Sequence, residues 1–362
     1  MRSSDKGSLL FAGGMLSQIA SNLFKRTKID PEENKPRFQL KIALRNECKK
    51  IIYFCFFIKN VRKLFKVYQL LNDPNSKKLF EKLILFRLLG YKHIQIREDI
   101  NWENEKKALD SVQLLYDDLS DLNLQAHPAF GALNHYKNIP TETDNIALDS
   151  WGYSVVYVAI KKQYYLEKAS IKIKPEAGDI VIDAGGCLGD NAVYFAKSAG
   201  KKGHIYVFDP LPTHKKVIEK NIAQNQLTTQ ITYLPYAVGK NTTIHVNNSD
   251  SANTIHTPDP TFHLDNHTQV PTISIDDFVQ MNGLNKIDFI KMDIEGGELS
   301  ALQGAVGTIK KFKPKLAISI YHKWEDFYVI PLWIHNTLKD YIFFIDHYTM
   351  HTGETILYAI AK

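Results

Sequence analysis

The sequence predicts an α/β fold: a mainly parallel sheet with helices on both faces, closed by an antiparallel hairpin and preceded by an N-terminal helical domain. Three observations predict it. Runs of β-branched residues alternate with helix-like runs from residue 179 onward. The first such run ends in a glycine-rich turn, DAGGCLG, at residues 183–189. The last two runs, YIFFIDHY and ETILYAIA, are separated only by a short turn around Thr352 and Gly353. Alternation of this kind argues for parallel strands joined by crossover helices.

The elements follow in order. Residues 1–37, with PEENKP at Pro31–Pro36, read as loosely structured. Lys41 to Leu71 has few breakers and reads as a helix. In the next segment Asp73, Asn75 or Ser76 can cap a helix and Gly90 can end it. Between them Leu79, Phe80, Leu83, Ile84 and Leu88 recur at helical spacing. Residues 103–122 repeat that pattern, so residues 1–130 read as a helical region. Ala126–Asn145 is rich in turn formers and reads as a linker. From Ile146 a second domain, 146–362, begins. YSVVYVAI and YYLEKASIKI read as strands leading into it. Then come strands 179–184, 204–209, 230–236, 286–293 and 315–322, with helices at Asn191–Ala199, Thr213–Gln224 and Glu298–Phe312.

Totals bound the function. At 362 residues the chain holds two domains, or one large domain with an extension. The net charge of +6 hides an asymmetry: residues 1–100 carry 21 Lys+Arg against 9 Asp+Glu, and the remainder 24 against 30. The basic part is +12 and the rest −6. A basic face attracts nucleic acid, anionic lipid or a phosphorylated glycan, or simply keeps helices soluble. The 3 cysteines make neither a disulfide framework nor a metal pattern, and a reducing cytoplasm is expected. The apolar run IIYFCFFI, 51–58, is far short of the roughly 20 residues that span a bilayer. It reads as the buried side of a helix. The glycine-broken N-terminus, with Asp5 in its would-be basic region, does not read as a secretion signal.

Three features converge where a parallel sheet collects ligands, beyond the carboxyl ends of its strands. Gly185, Gly186 and Gly189 make a turn without Cβ atoms, and the helix opening at Asp190 and Asn191 offers unpaired N–H groups. The dinucleotide fingerprint G-x-G-x-x-G is missing, which disfavours a nicotinamide oxidoreductase. In its place stands Asp183, whose carboxylate would repel pyrophosphate and suit a ligand carrying an ammonium. S-adenosylmethionine is such a ligand. Asp209, 26 positions on and followed by Pro210, can accept ribose hydroxyls. Ala237 and Val238, small residues closing the third strand, can flank an adenine.

The ordered series DAGGCLGD, VFDPLP, AVG, ISIDDF, IDFIKMDIEGGELSALQGA, KPKLAISIYHK and ETILYA resembles the FkbM-type family of S-adenosylmethionine-dependent methyltransferases. The resemblance covers roughly Leu148 to the C-terminus. It implies a Rossmann-like methyltransferase sheet, and it implies that Asp183, Gly185, Gly189, Asp209 and Ala237 hold the cofactor. The second-strand acid is more often Glu in that family; here it is Asp209.

Transfer of a methyl group to a hydroxyl needs alignment and removal of a proton. KMDIEGGE places Lys291, Asp293, Glu295 and Glu298 within eight positions, and YHKWED supplies His322, Glu325 and Asp326. Asp293 is expected to orient His322, which takes the acceptor proton. The alternative is a divalent cation held by the same carboxylates and His322; the base is preferred. Glu298 can equally favour a helix N-terminus. His347 and Glu354 are further acceptor-side candidates. No Asn/Asp-Pro-Pro-aromatic run follows the fourth strand, where DIEG stands, which argues against amine methylation of nucleobases. Asn247–Gln269, polar and His-rich, can lie over the site. The resemblance implies O-methylation of a carbohydrate or natural-product hydroxyl. An RNA methyltransferase using the basic helices, or a noncatalytic member of the fold, is the rival reading. Nucleic acid is disfavoured as a partner; peripheral contact of the basic region with an anionic surface stays open.

Overall fold

The β-branched runs of the second half assemble side by side into one seven-stranded sheet. The computed structural model describes residues 3–23, 39–119, 132–168, 171–240, 244–247, 255–256 and 267–362. The strands are β1 (Ile180–Ala184), β2 (His204–Phe208), β3 (Ile231–Leu234), β4 (Phe289–Met292), β5 (Lys315–Ser319), β6 (Tyr341–His347) and β7 (Thr355–Ala361). Their order across the sheet is β3-β2-β1-β4-β5-β7-β6. Neighbours among β1–β5 pair in parallel. β7 runs antiparallel to both β5 and β6, the expected closing hairpin. Chain order reverses between β1 and β4, so a crevice opens beyond the carboxyl ends of those two strands.

Strands buried on both faces read as continuous apolar runs, and Val181, Ile182, Ile205, Val207, Phe289 and Ile290 are all inaccessible. The helices include α1 (Ser3–Leu23), α2 (Gln39–Leu70), α3 (Pro74–Leu89), α4 (Trp102–Gln113), α5 (Asp190–Ala199), α6 (Pro212–Gln224), α7 (Glu298–Gln303), α8 (Val306–Phe312) and α9 (Asp326–Leu338), besides the short Gly152–Val155 and Ile275–Met281. One face of the sheet packs on α5 and α6. The other packs on α7, α8 and α9, and the same core runs on into α1, α2 and α3. Phe80 of α3 stacks on Phe327 of α9 with ring centroids 5.9 Å apart. Leu71 bridges Phe343, and the Asn72 N–H donates to the Phe343 carbonyl at 2.9 Å. That contact covers part of the β6 edge, which would otherwise expose unpaired backbone.

Several expectations change. Ser3–Leu23 is a helix rather than a loose segment, because Phe11 and Met15, one turn apart, are buried, Phe11 against Phe65 and Tyr68 of α2. YSVVYVAI is helical, ending in a π turn over Val156–Ile160 with the Lys161 N–H bonded to the Val156 carbonyl. Its β-branched residues suggest a strand, but Val155, Val156 and Val158 bury on one helical side, and packing overrides propensity. The segment expected to be a linker contains a strand, Asn134–Pro140, paired with Asn145–Ser150 and with Tyr116–Leu119. The helix expected over 103–122 therefore stops at Gln113. The single helix expected over Glu298–Phe312 breaks at Gly304, where a Cβ would stand 2.7 Å from the Gly239 carbonyl oxygen. Most of the polar excursion 247–269 lies outside the described residues; 244–247 pairs with 255–256 and 267–270.

The start of α3 is capped as expected. Asp73 accepts from the Ser76 N–H at 3.0 Å, and Ser76 Oγ accepts from the Ile345 N–H of β6 at 3.1 Å. This short chain of bonds ties the helical region to the sheet. Asp73→Ala should therefore cost about 1 kcal/mol, seen as a lower urea midpoint at unchanged slope; an unaltered midpoint would show that the cap contributes nothing.

Candidate active site

A cavity of about 540 Å³ opens beyond the carboxyl ends of β1, β2 and β4, within the size range of small-molecule sites. Of the residues singled out in the sequence, Gly185, Asp190, Asn191, Asp209, Pro210, Ala237, Val238, Lys291, Asp293 and Glu295 line it. Asp183, Gly186, Gly189 and His322 stand behind its wall. This inverts two expected roles.

Asp183 is fully buried and does not face the cavity; the Lys291 ammonium does, 3.0 Å from Asp183 Oδ1. Lys291 also donates to the Gly185 carbonyl at 2.6 Å. Burial acts against its charge, but Asp183 and then Asp293 hold its pKa above the ordinary lysine value. Lys291 is thus a charged strut between β4 and the glycine turn. The glycines also serve the fold first. Gly185 has φ +86°, and a Cβ there would meet the Asp293 carbonyl oxygen at 1.8 Å. At Gly186 a Cβ would stand 2.3 Å from Val207 Cγ2. The bare turn lets β1, β2 and β4 converge, and only Gly185 also touches the cavity.

Asp190, the first residue of α5, is buried, and burial raises its carboxyl pKa. Asp209, past β2, accepts from the Cys187 N–H at 2.8 Å and the Leu211 N–H at 3.0 Å, with His214 Nδ1 at 3.1 Å. These donors fix its carboxylate at the cavity edge. Phe208, Leu211, Tyr236, Ala237 and Val238 give the neighbouring wall an apolar face.

The opposite wall is acidic. Asp293 accepts from the Tyr164 hydroxyl at 2.6 Å and from Tyr321 at 3.2 Å. Tyr321 Oη also lies 3.2 Å from Glu354, which accepts from Gln163 at 2.5 Å. Behind them lies His322. Its Nε2 is 3.3 Å from both Asp293 and Glu295, and its Nδ1 is 3.1 Å from Glu298. These are ion-pair contacts. Burial works against the charged ring, but Glu298 and Asp293 drive its pKa up to about 10. At neutral pH His322 is an imidazolium and has no lone pair with which to take a proton. Burial, reinforced by Asp293, pushes Glu295 and Glu354 up to about 7. Asp293 is held below the usual carboxylate range, His322 and Lys291 outweighing its burial. Asp293, Glu298 and His322 bring ligand atoms within 4.8 Å of one another. Within that group Asp293 meets the Nε2 and Glu298 the Nδ1 of the ring.

The other candidates separate. Glu354 joins the site. His347 does not: it is buried against Thr355, Nδ1 to Oγ1 at 2.8 Å, and burial depresses its pKa to about 3. Asp326 caps its own turn by accepting from the Lys323 N–H at 2.8 Å. Sequence reasoning missed Tyr164, Tyr321, Tyr153, Tyr157 and His351, which line the acidic side. They come from three separate segments, and nothing in their spacing links them.

The profile of the methyltransferase FkbM domain matches residues 183–343. The fold of the methyltransferase FkbM from Methylobacillus flagellatus KT is similar over 84% of this chain, at 20% identity and TM-score 0.52. The chain spans 60% of that protein's length. Weaker likenesses include fibrillarin from Aeropyrum pernix, crystallised with S-adenosyl-L-methionine (12% identity, 63% of this chain, 89% of that one, TM-score 0.37). Another is an O-methyltransferase from Bacillus cereus in complex with SAH (10% identity, 51% and 74%, TM-score 0.33). No curated protein matches the chain in sequence. The matched segment runs from β1 to β6, so both walls of the cavity except Glu354, His351 and the segment 151–164 fall within it.

The charges lining the site predict how the chain responds to pH. Glu295 and Glu354 titrate near 7 when folded, against about 4.5 for an unperturbed glutamate, so the folded form sheds these protons last. Stability contributed by that difference is lost as pH rises between those values. His322, raised to about 10 from 6.5, contributes stability below 6.5 that is lost on going up to 10. The melting temperature should therefore fall as pH is raised from about 5 to about 9; a rise over that interval would reject the charge assignment.

Proposed function

We propose that the chain is an S-adenosylmethionine-dependent O-methyltransferase acting on a hydroxyl of a carbohydrate or related natural product. The observation that carries this reading is the polarity of the cavity. Acids anchored by backbone N–H groups and a helix start lie on one side. A carboxyl poised near neutrality lies on the other.

The cofactor side fits the ligand's chemistry. Asp209 suits the ribose hydroxyls, the apolar wall around Ala237 and Val238 suits an adenine, and Asp190 suits an ammonium. Burial keeps Asp190 uneasy as a bare carboxylate, and a cation beside it relieves that cost. Lys291 holds Gly185 in place and keeps Asp183 neutralised, so Asp183 contributes through Lys291. When bound, S-adenosylmethionine supplies a methyl group activated by a sulfonium.

On the acceptor side Glu295 is the base. It lines the cavity, and a base with pKa near the working pH is the most effective. His322 is a positioning residue: its charge aligns Asp293 and Glu295 and keeps Asp293 ionised. Tyr164 and Tyr321 fix Asp293, which is then placed to orient an acceptor hydroxyl. Trp151, Tyr153 and Tyr157 offer flat apolar faces, which suit the C–H face of a sugar ring.

Calorimetry with S-adenosylmethionine should show binding to the chain, and Asp209→Ala should weaken it on the order of ten- to a hundredfold. A silent titration with the unaltered chain would sink the cofactor assignment. For the reaction, mass spectrometry of glycans from cells with and without the gene should reveal one CH₂ missing in the latter. Complementation with Glu295→Gln should restore little of it, turnover falling by roughly 10²–10⁴, and activity in extracts should climb as pH rises through about 7. Full complementation by Glu295→Gln would remove Glu295 as the base.

A further inference from the structure

The exposed sides of α1 and α2 do not behave as ordinary solvated helix faces. The run Ile51–Ile58 is not simply a buried stripe: Ile52 is 63% exposed, Phe54 41% and Ile58 48%. On α1, Leu9, Leu10 and Leu16 are 58%, 71% and 41% exposed. The two helices are packed together through Phe11, whose ring lies 5.5 Å from Phe65 and 5.1 Å from Tyr68. Large apolar side chains left in water on two packed helices are costly and mark contact surfaces.

Their charge pattern says what kind of surface. α1 carries no charged residue from Gly7 to Leu23. α2 carries six Lys or Arg between Lys49 and Leu70, and no acid. Lys59, Arg62, Lys63 and Lys66 are exposed among the apolar residues of its outer face. The first 100 residues hold +12 and the remainder −6. We propose that α1 and α2 form a docking face for the surface of an anionic lipid bilayer.

Aliphatic side chains enter the headgroup boundary while neighbouring cations meet lipid phosphates; this combination binds a bilayer in plane. Among the described residues no helix is long and apolar enough to cross a membrane, so these helices lie on the surface. Nucleic acid also attracts basic helices, but it is held by base stacking on aromatic faces. Of the six exposed side chains named here only Phe54 is aromatic; the rest are Leu or Ile.

Co-sedimentation of the full chain with phosphatidylcholine vesicles, with and without phosphatidylglycerol, tests this. The chain should partition into the anionic vesicles, and salt should weaken it steeply. The triple variant Lys59→Gln, Arg62→Gln, Lys66→Gln should lower partitioning on the order of a hundredfold. Leu9→Ser with Leu10→Ser should lower it about tenfold while keeping the salt dependence. All five positions are on the surface, so melting temperatures should not change; Leu16→Ser replaces the leucine pair if they do. Equal partitioning into neutral and anionic vesicles, or none into either, would overturn the proposal. So would retention of a single-stranded RNA oligonucleotide under conditions where anionic vesicles are left unbound.

Discussion

The ion pair between Lys291 and Asp183 is the constraint around which the site is built. It joins the two strands at which the sheet changes direction, and both side chains are almost wholly buried. Burying two charges is costly unless they are paired and hydrogen-bonded. Here the ammonium has the carboxylate on one side and a carbonyl of the glycine turn on another. Removing either partner would strand a charge under the floor of the cavity. The turn can therefore be bare and tight without being loose, and the carboxylates on either side of it keep fixed separations.

From that floor the two walls acquire opposite chemistry. Toward β2 the acids are satisfied by backbone N–H groups and a histidine, an arrangement that holds a ligand without reacting with it. Toward β4 and β5 the acids outnumber the cations. Asp293, Glu295 and Glu298 share His322, and Glu354 has only neutral donors, Tyr321 and Gln163. Like charges crowded out of water cannot all ionise near neutrality. The imidazolium resolves part of the crowding, and Glu295 and Glu354 absorb the rest by holding protons longer. Two carboxyls raised toward neutral pH are the by-product of that crowding.

The helical region is not an independent appendage in this arrangement. Its residues share a core with α7, α8 and α9 and cover the edge of the last strand pair. The sheet gains a protected edge, and the helices gain an apolar platform large enough to leave their outer faces available. Those outer faces carry the positive charge that the catalytic part lacks.

The sheet is legible in the chain's local patterns. Strand composition, glycine punctuation and the closing pair of runs specify five parallel strands and a hairpin, since these depend on neighbouring residues and short-range turns. The same patterns identify which residues reach the cavity from the ends of β1, β2 and β4, because a strand end places its next residues in the crevice. Depth is not legible there. Whether Asp183 or Lys291, His322 or Glu295 stands in front depends on how two strands cross and which carboxylate each cation meets, and those contacts join residues over a hundred positions apart or on neighbouring strands. Nor do local patterns show that YSVVYVAI coils rather than extends, or that Tyr164 and Tyr321 converge on Asp293. Long-range packing settles such questions, because burial can outweigh local preference and places side chains from separate segments against one another.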